Sequence, residues 1–470
     1  MSSRRRSFAR SLPLNPIATC LAAVLGVTDA GATPTHPAGA FVVTNCLDSG
    51  PGSLRQAVFD SQPGDPIDLT QLTCSQITLT SGRIDVDRDI LFQGPGSGSL
   101  TIDGDNTDRI FNQNGPYQLA VYGMTLQRGY SDTFGGGCIY SRGPLLLNDT
   151  VITGCKVFDF GGSGTYKGGG ALVNSSLSAI NSAITDNEIY SALGYAFGGG
   201  AFVGGDVLLA SSTISGNNIT NASGGITEAG GISVNGKLTM TYSTISNNSV
   251  GGLPASPGGT AGARVAGGAV ISNSTISGNT ADGGGGGLSI AGSVASPNVI
   301  TNSTISGNTA SAVAGVYARG PTTIANSTIA FNTETTFANG AGLRLAYSLA
   351  DIESSIIANN TSPGTTQNIG LGISGGVTGA NDLIGASPSV PLPPDTISGD
   401  PELLALADNG GPTKTHALGP GSPAIDAGNN NAALTNDQRG PGFPRVIGIA
   451  PDIGAFEGVD TDRIFANGFD

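Results

Sequence analysis

The hexapeptide Ser274-Thr275-Ile276-Ser277-Gly278-Asn279 has seven relatives elsewhere in the chain. They read TVITGC at Thr150–Cys155, SAITDN at Ser182–Asn187, STISGN at Ser212–Asn217, STISNN at Ser243–Asn248, STISGN at Ser303–Asn308, STIAFN at Ser327–Asn332 and SSIIAN at Ser354–Asn359. Successive copies lie 24 to 32 residues apart. Repeats of this length are typical of a solenoid, in which each copy forms one turn that packs on its neighbours.

A glycine-rich landmark precedes each hexapeptide and is followed by a pattern of period two, which predicts short strands. The first apolar column comprises Ala171, Ala201, Ile232, Ala263, Leu288, Val316 and Leu343. The second comprises Val173, Val203, Val234, Val265, Ile290, Ala318 and Leu345. We expect both columns to point inward, together with the isoleucine of each hexapeptide, taken as Ile356 in the last copy.

The asparagine that ends most hexapeptides is predicted to form a ladder along the solenoid. Identical side chains stacked turn on turn can satisfy turn backbone that would otherwise be buried without a partner. A second, partial ladder is predicted six residues earlier, at Asn181, Asn273, Asn302 and Asn326. Turns of this length with several short strands and asparagine ladders resemble the right-handed parallel β-helix, the pectin-lyase-like fold.

The N-terminal end of the solenoid carries a different signal. In Gly52–Val58 the spacing from Ser53 to Gln56 is that of a capping box, which predicts a short helix. The segment also resembles a signature of many exported bacterial β-helix proteins, in which it implies a helix that caps the first turn. Residues 33–137 are therefore predicted to form the cap and first turns, and residues 138–380 the repeats.

The C-terminal end changes composition from Asn381 onward. Its motifs include Gly399-Asp400-Pro401, Asn409-Gly410-Gly411-Pro412 and Ser422-Pro423-Ala424-Ile425-Asp426. They resemble the choice-of-anchor Q domain of bacterial surface and secreted β-helix proteins, which implies a small C-terminal domain at residues 381–457 and a tail at 458–470. The repeats are also loosely similar to those of chlamydial polymorphic outer-membrane proteins. The complete prediction is an all-β right-handed parallel β-helix solenoid with an N-terminal capping helix and a small C-terminal domain.

The first 32 residues have the pattern of a signal peptide. Arginines at 4, 5, 6 and 10 precede the apolar run Ile17–Val27, and Ala30-Gly31-Ala32 is a cleavage pattern. General secretion and twin-arginine export both remain open. No later stretch is long enough for a transmembrane segment. We therefore predict a secreted protein or one displayed on a bacterial cell surface.

The charge balance bears on the partners of the protein. A net charge of −14, with only 20 Lys and Arg in 470 residues, argues against nucleic acid and anionic membranes. It also disfavours a polyanion such as pectin without bridging calcium, although acidity serves solubility as well. We predict a polysaccharide or a surface protein as the partner, and a monomeric chain.

Four cysteines remain once the signal peptide with Cys20 is removed. An even number in an oxidising compartment predicts disulfides. Neighbours in sequence suggest the pairs Cys46–Cys74 and Cys138–Cys155. Cys155 stands where later repeats have the ladder asparagine, so the second pair is predicted to replace that contact.

No catalytic set stands out among the acidic residues. Asp186 with Glu188 and Asp351 with Glu353 are the only pairs spaced to share a face, and solvated surface is the preferred interpretation for each. His416 is interpreted as structural. Asp103–Asp108 has the look of a calcium loop but lacks the glycine and distal glutamate of an EF-hand, so it is read as a turn. We predict no metal site and no cofactor, with Ca²⁺ kept as an alternative.

A column of varied residues lies between the two inward columns and is expected to face outward. Its aromatic and arginine members suit a sugar or protein ligand, which predicts a binding surface. These members are Tyr140, Phe202, Arg264, Tyr317 and Arg344. The leading hypothesis is a non-catalytic adhesive, structural or glycan-binding protein. The alternative is a polysaccharide lyase or glycoside hydrolase of the pectin-lyase-like fold.

Overall fold

The computed structural model describes residues 39–159, 161, 164–222, 225–252, 259–347, 349–364 and 366–458. The predicted signal peptide at 1–32 and tail residues 459–470 lie outside these ranges. Within them the chain is a right-handed parallel β-helix with one short α-helix. The predicted all-β solenoid is therefore confirmed.

Within the described ranges, each turn contributes a short strand to an eleven-stranded parallel sheet, called here the groove sheet. Its strands are Ile84–Val86, Phe111–Gln113, Ile139–Ser141, Ala171–Val173, Ala201–Val203, Ile232–Val234, Ala263–Val265, Leu288–Ala291, Val316–Arg319, Leu343–Ala346 and Ile369–Leu371. Ala171 lies beside Ala201, and Ala201 beside Ile232, so equivalent positions of successive repeats are in register.

The second sheet, called the wide sheet, has 23 described strands, and most turns of the repeat region cross it with two of them. Its strands are Phe41–Val42, Pro66–Asp68, Gln76–Thr78, Ile90–Gln93, Thr101–Asp103, Leu119–Gln127, Leu145–Thr153, Leu177–Ile180, Ala183–Thr185, Val207–Ala210, Thr213–Ser215, Leu238–Thr241, Thr244–Ser246, Ala269–Ser272, Thr275–Ser277, Asn298–Thr301, Thr304–Ser306, Thr322–Ala325, Thr328–Ala330, Leu349–Glu353, Ile356–Ala358, Gly376–Ala380 and Leu383–Ile384. The hexapeptides form the second strand of each pair.

Two smaller parallel sheets complete the turns. The narrow sheet follows the ladder asparagines and comprises Tyr130–Ser131, Lys156–Asp159, Glu188–Ser191, Asn218–Asn221, Ser249–Gly252, Thr280–Ala281, Thr309–Ala310 and Thr333–Glu334. The loop sheet lies in the return arcs and comprises Thr165–Lys167, Tyr195–Phe197 and Thr227–Glu228. The chain then re-enters the groove sheet.

The inward columns form one continuous apolar core along the solenoid. Ala171, Val203 and Ile245 are each 0% exposed, and they belong to a single cluster that extends from Val43 to Val390. Burying a side chain of the size of valine or isoleucine stabilises the fold by about 1.5–3 kcal/mol. The period-two prediction for the core is confirmed.

The asparagine ladder is also confirmed, and its hydrogen bonds explain the glycine landmark. Asn217 Nδ2 donates to Asn248 Oδ1 at 2.9 Å, and the Asn217 backbone N–H donates to the same oxygen at 3.1 Å. Asn248 repeats both bonds to Asn279. A Cβ on Gly231 would lie 2.5 Å from the Gly262 carbonyl oxygen and 3.0 Å from Asn248 Nδ2, so glycine is needed here for the close approach of the next turn and of the ladder.

In the last repeat, the residues predicted for the inward and ladder positions are wrong by one residue. Asn332 Nδ2 donates to Asn360 Oδ1 at 2.8 Å, so Asn360 rather than Asn359 continues the ladder. Ile329 likewise pairs with Ile357, which is the inward residue, whereas Ile356 packs beneath the C-terminal segment. The Ser354-Ser355, Ile356-Ile357 and Asn359-Asn360 doublets fit both registers equally well.

The predicted second asparagine ladder does not form, since its members have another role. Asn181, Asn273, Asn302 and Asn326 all have φ between 46° and 49°, at the corner between the paired strands of the wide sheet. Asparagine tolerates this left-handed conformation better than most residues. Three of these side chains donate outward to the C-terminal segment, as described below.

A serine ladder, which the sequence analysis missed, lies one residue beyond that corner. The backbone N–H of Ser243 donates to Ser274 Oγ at 3.2 Å, and Ser274 N–H donates to Ser303 Oγ at 3.2 Å. The series ends where Ser355 N–H donates to Asp382 Oδ1 at 2.9 Å. The serine that opens most hexapeptides, with Ser355 in its place in the last repeat, is therefore as important to the fold as the ladder asparagine.

The N-terminal helix and both disulfides occur where they were predicted. The α-helix Leu54–Asp60 begins after Ser53, whose Oγ accepts from Gln56 N–H at 3.2 Å. Disulfides join Cys46 to Cys74 and Cys138 to Cys155. Cys155 N–H donates to Asn187 Oδ1 at 3.0 Å, so the second disulfide stands at the start of the asparagine ladder.

Residues 397–458, called here the C-terminal cover, lie back along the outer face of the wide sheet. Asn273 Nδ2 donates to the backbone carbonyl of Asp437 at 3.1 Å, and Asn302 Nδ2 to that of Asn436 at 2.8 Å. Asn326 makes the equivalent bond to Asn429. Leu383–Ile384 still pairs within the solenoid, so the segment predicted as a C-terminal domain begins as the last described turn and continues as the cover.

Candidate ligand-binding groove

A groove of about 710 Å³ runs along the outer face of the groove sheet. Its floor is formed by outward residues of successive strands, and its wall by the return loops around Gly283–Gly285 and Ala312–Val313. Three of the five residues predicted to bind ligand line it, namely Arg264, Tyr317 and Arg344. The alternation of the strands places them on one face because their neighbours in sequence point into the core.

The floor residues lie side by side in register. Arg264 pairs with Ser289, Ser289 with Tyr317, and Tyr317 with Arg344. Adjacent strands are ~4.8 Å apart, so Tyr317 and Arg344 are close neighbours, whereas along the axis Arg264 lies ~10 Å from Tyr317 and ~14 Å from Arg344. The three side chains are half-buried, which leaves part of each available to a ligand.

Arg264 is neutralised at one end of the groove. Its Nε lies 3.0 Å from Glu228 Oε2, and its Nη1 donates to Asn235 Oδ1 at 3.3 Å. Burial raises the pKa of Glu228, and the charge of Arg264 opposes that rise. This end of the groove therefore holds a carboxyl group beside a guanidinium group.

Arg344 is held by a second layer of residues that the sequence analysis missed. Its Nη1 donates to Asn339 O at 3.0 Å and to Asn339 Oδ1 at 2.9 Å. The backbone N–H of Asn339 donates to the Glu334 carboxylate, with 3.0 Å to Oε2. Glu334 is 2% exposed and also accepts from Ser362 Oγ at 2.7 Å. A chain of contacts from a buried carboxylate thus fixes the arginine.

Arg319 is a further residue of the groove that was not predicted. It follows Tyr317 by two positions on the same strand and so lies on the same face. Its Nε donates to Tyr317 Oη at 3.1 Å, and its guanidinium lies 5.5 Å from the ring centroid. The spacing of two residues was the signal in the sequence that could have revealed it.

Tyr140 and Phe202, the other two predicted binding residues, are not exposed. They are 9% and 6% exposed and form an apolar cluster with Leu172. Residues of the return arcs cover them: Phe134 lies edge-on to Tyr140 at 5.0 Å, and Lys167 Nζ lies 4.3 Å from the Phe202 ring centroid. The prediction that they form part of an exposed surface was wrong, because loops fold over this end of the groove sheet.

Phe202→Ala is expected to destabilise the fold by about 3–4 kcal/mol, since it removes a buried ring from a packed cluster. Thermal or urea denaturation would measure the loss. Leu193→Ala is a matched control, because Leu193 is 57% exposed and its truncation should cost little. A loss below 1 kcal/mol in Phe202→Ala would show that the cluster contributes little to stability.

The four weak catalytic candidates are scattered over the solenoid. Asp186 is exposed at a turn, and Glu188 lies 3.9 Å from Lys156 Nζ. Asp351 is exposed, whereas Glu353 accepts from Asn429 Nδ2 of the C-terminal cover at 2.8 Å. None of these four residues lines the groove.

In the loop Asp103–Asp108, which was considered as a calcium site, a carboxylate is paired with an arginine. Asp103 accepts from Arg128 Nη2 at 2.6 Å, and this pair joins two successive turns. In the ranges that the structure describes, no three His, Cys, Asp or Glu side chains cluster closely enough to hold a metal ion.

His416 belongs to a second cavity, of about 600 Å³, between the wide sheet and the C-terminal cover. Its Nδ1 donates to the Leu404 carbonyl at 2.6 Å, so its Nε2 accepts from Ser306 Oγ at 2.7 Å. His416 is 3% exposed, and burial lowers its pKa. The neutral ring therefore ties the cover to a hexapeptide serine.

A comparison with known protein families agrees with this architecture. Residues 230–382 match a family described as the right handed beta helix region. A solved structure titled "Structure of PL6 family alginate lyase AlyGC" is similar at 15% identity, with a TM-score of 0.34. That alignment covers 80% of this chain and 55% of the lyase, so the chain spans about half the length of that protein. No curated protein matches the chain.

One further property concerns membranes. Over the described residues, no helix has both the length and the apolar character that crossing a bilayer requires.

Proposed function

We propose that this protein is a non-catalytic glycan-binding β-helix that holds its ligand in the groove. The observation that carries the proposal is the row formed by Arg264, Tyr317 and Arg344 on the groove floor, walled by return loops. Long grooves along a rigid sheet suit extended chains, because the sheet does not have to be ordered on binding. A half-buried tyrosine supplies an apolar ring and a hydroxyl, the combination that a sugar ring with its hydroxyl groups requires.

We propose further that the protein acts outside the cell or on a bacterial cell surface. Two disulfides support an oxidising compartment. The signal-peptide pattern of residues 1–32 and the resemblance of residues 381–457 to choice-of-anchor Q domains support export. A polysaccharide of a cell surface or matrix would then be the partner of a monomeric chain.

Tyr317→Ala is expected to weaken glycan binding about tenfold or more, because one aromatic contact contributes about 1.4 kcal/mol. The measurement is binding to a printed array of neutral, carboxylated and sulfated glycans, followed by calorimetry on those retained. Tyr190→Ala is a matched control, since Tyr190 is half-buried on the narrow sheet and stacks on Phe158 at 4.4 Å. Equal losses in both variants, or none in Tyr317→Ala, would contradict the proposal.

The alternative is a lyase or hydrolase, and one observation favours it: the Glu228 carboxyl lies beside Arg264 in the groove. A carboxyl with a raised pKa is suited to proton transfer. Release of reducing ends or unsaturated products from a bound glycan should be measured alongside binding. Turnover that Glu228→Gln abolishes would replace the binding proposal with the enzymatic one.

A further inference from the structure

The cationic side chains of this protein are few, and about half of those that the structure describes have an acidic partner. Eight of the fifteen lysine and arginine side chains in the described residues have a carboxylate oxygen within 4.0 Å. Such pairing is expected in a chain with 34 acidic and 20 basic residues. Cations that lack such a partner and lie together in the groove are therefore informative here.

Arg319 and Arg344 are such cations, and both lie in the groove. Neither has a carboxylate oxygen within 4.0 Å among the described residues, whereas Arg264 has Glu228. They flank one ring: Arg319 donates to Tyr317 Oη at 3.1 Å, and Arg344 is the partner of Tyr317 on the next strand. Two arginines without a carboxylate oxygen within 4.0 Å thus neighbour Tyr317 on the groove floor.

The hydrogen bonds that fix these arginines leave donors free. Arg319 uses its Nε toward Tyr317, and Arg344 uses one Nη toward Asn339. A guanidinium group carries five N–H donors in a planar fork, so each side chain retains donors for a carboxylate or sulfate. Because Arg344 is already positioned by Asn339 and Glu334, little side-chain freedom is lost on binding.

Building on the proposed function, we infer that the glycan bound in the groove is anionic and that Arg319 and Arg344 together bind its carboxylate or sulfate group. This differs from the expectation drawn from net charge, which disfavoured polyanions. The charges close to the ligand govern its binding more than the net charge of the chain does, because at physiological salt exposed charges beyond about 8 Å are largely screened. Asp282, the other acidic residue that lines the groove, lies on the loop wall and not on the floor.

The test compares acidic glycans with neutral counterparts on the full-length protein. Carboxylated glycans, the same glycans after reduction of their carboxyl groups, and sulfated glycans are immobilised in parallel. We expect binding to one acidic set and at least tenfold weaker binding to the reduced set. Raising sodium chloride from 50 to 500 mM should weaken the binding of the acidic glycans. The comparison of carboxylated with sulfated glycans shows which anionic group is bound.

The matched variants are Arg319→Gln with Arg344→Gln, and Arg142→Gln with Lys156→Gln as the control. Arg142 and Lys156 are exposed and lie outside the groove, so the control pair changes the net charge equally. The double variant should lose at least tenfold in affinity and the control less than twofold, with unchanged melting temperatures. Equal binding of acidic and reduced glycans, or an unaffected double variant, would overturn the inference while glycan binding stands. Failure of every glycan to bind would overturn the proposed function as well.

Discussion

Replacing Asn248 by alanine is expected to lower the free energy of unfolding by about 3–5 kcal/mol. Asn248 Oδ1 accepts from the backbone N–H and from Nδ2 of Asn217, and its own Nδ2 donates to Ile214 O at 3.0 Å and to Asn279 Oδ1 at 2.9 Å. Asn248 is 0% exposed, so alanine would leave several buried polar groups without partners. Urea denaturation followed by circular dichroism would measure the change.

Asn114→Ala is the control for this substitution. Asn114 is an exposed asparagine outside the ladder, and its truncation should shift the denaturation midpoint by less than a tenth of the Asn248→Ala effect. If both variants behaved alike, the ladder would contribute no more to stability than an ordinary surface asparagine.

Asp382→Asn is expected to make the protein more stable at pH 9 than the natural sequence, by about 3–5 kcal/mol. Burial raises the pKa of Asp382 to about 8, and the charges of Glu353, Asp395 and Asp351 add to this effect, while the hydrogen bond from Ser355 opposes it. The unfolded chain releases this proton near pH 4. Asp382 therefore contributes stability that is fully present below pH 4 and is lost as the pH rises to about 8.

Asparagine keeps the acceptor for Ser355 N–H and carries no charge, so the variant should lack this pH dependence. Denaturation midpoints between pH 4 and pH 9 would follow the effect. Asp351→Asn is the control: Asp351 is exposed in the same acidic cluster, and its loss should alter the slope only slightly. A natural protein and an Asp382→Asn variant with parallel pH profiles would show that Asp382 is ionised in the folded state.

The core could be predicted from the sequence because the repeat shows each position many times. Ala171, Ala201 and Ile232 share one environment, so their common apolar character identifies an inward column without knowledge of the turns. The same redundancy failed in the last repeat, where doubled residues allow two registers. The hydrogen bond from Asn332 to Asn360 and the pairing of Ile329 with Ile357 distinguish them.

The candidate site was predicted only in part, because alternation along a strand shows which residues leave the core but not what covers them. Phe202 and Tyr317 stand in the same outward column, yet Lys167 and Phe197 cover the first, while the second lies in the open groove. The residues that cover Phe202 come from return arcs of irregular length, and these arcs do not follow the repeat.

The residues that hold Arg344 in place could not be predicted from the sequence, for a related reason. Glu334 acts on Arg344 through the backbone of Asn339, a contact set by the shape of one loop. Nothing in the spacing of an acidic residue on the narrow sheet indicates that its partner is a loop amide.

The C-terminal cover has a consequence for how the chain is made. Asn273 is separated by 164 residues from its partner Asp437, so this face of the wide sheet stays bare until the ribosome has produced most of the polypeptide. Contacts so distant in sequence form slowly, whereas stacked neighbouring turns can assemble as they emerge. Most of the waiting surface is serine, threonine and asparagine, which water solvates well, and its apolar part includes Ile356, Ala358 and Leu383 near the C-terminal end of the solenoid. We therefore expect nascent solenoids to remain soluble during the interval in which a bare apolar sheet would aggregate.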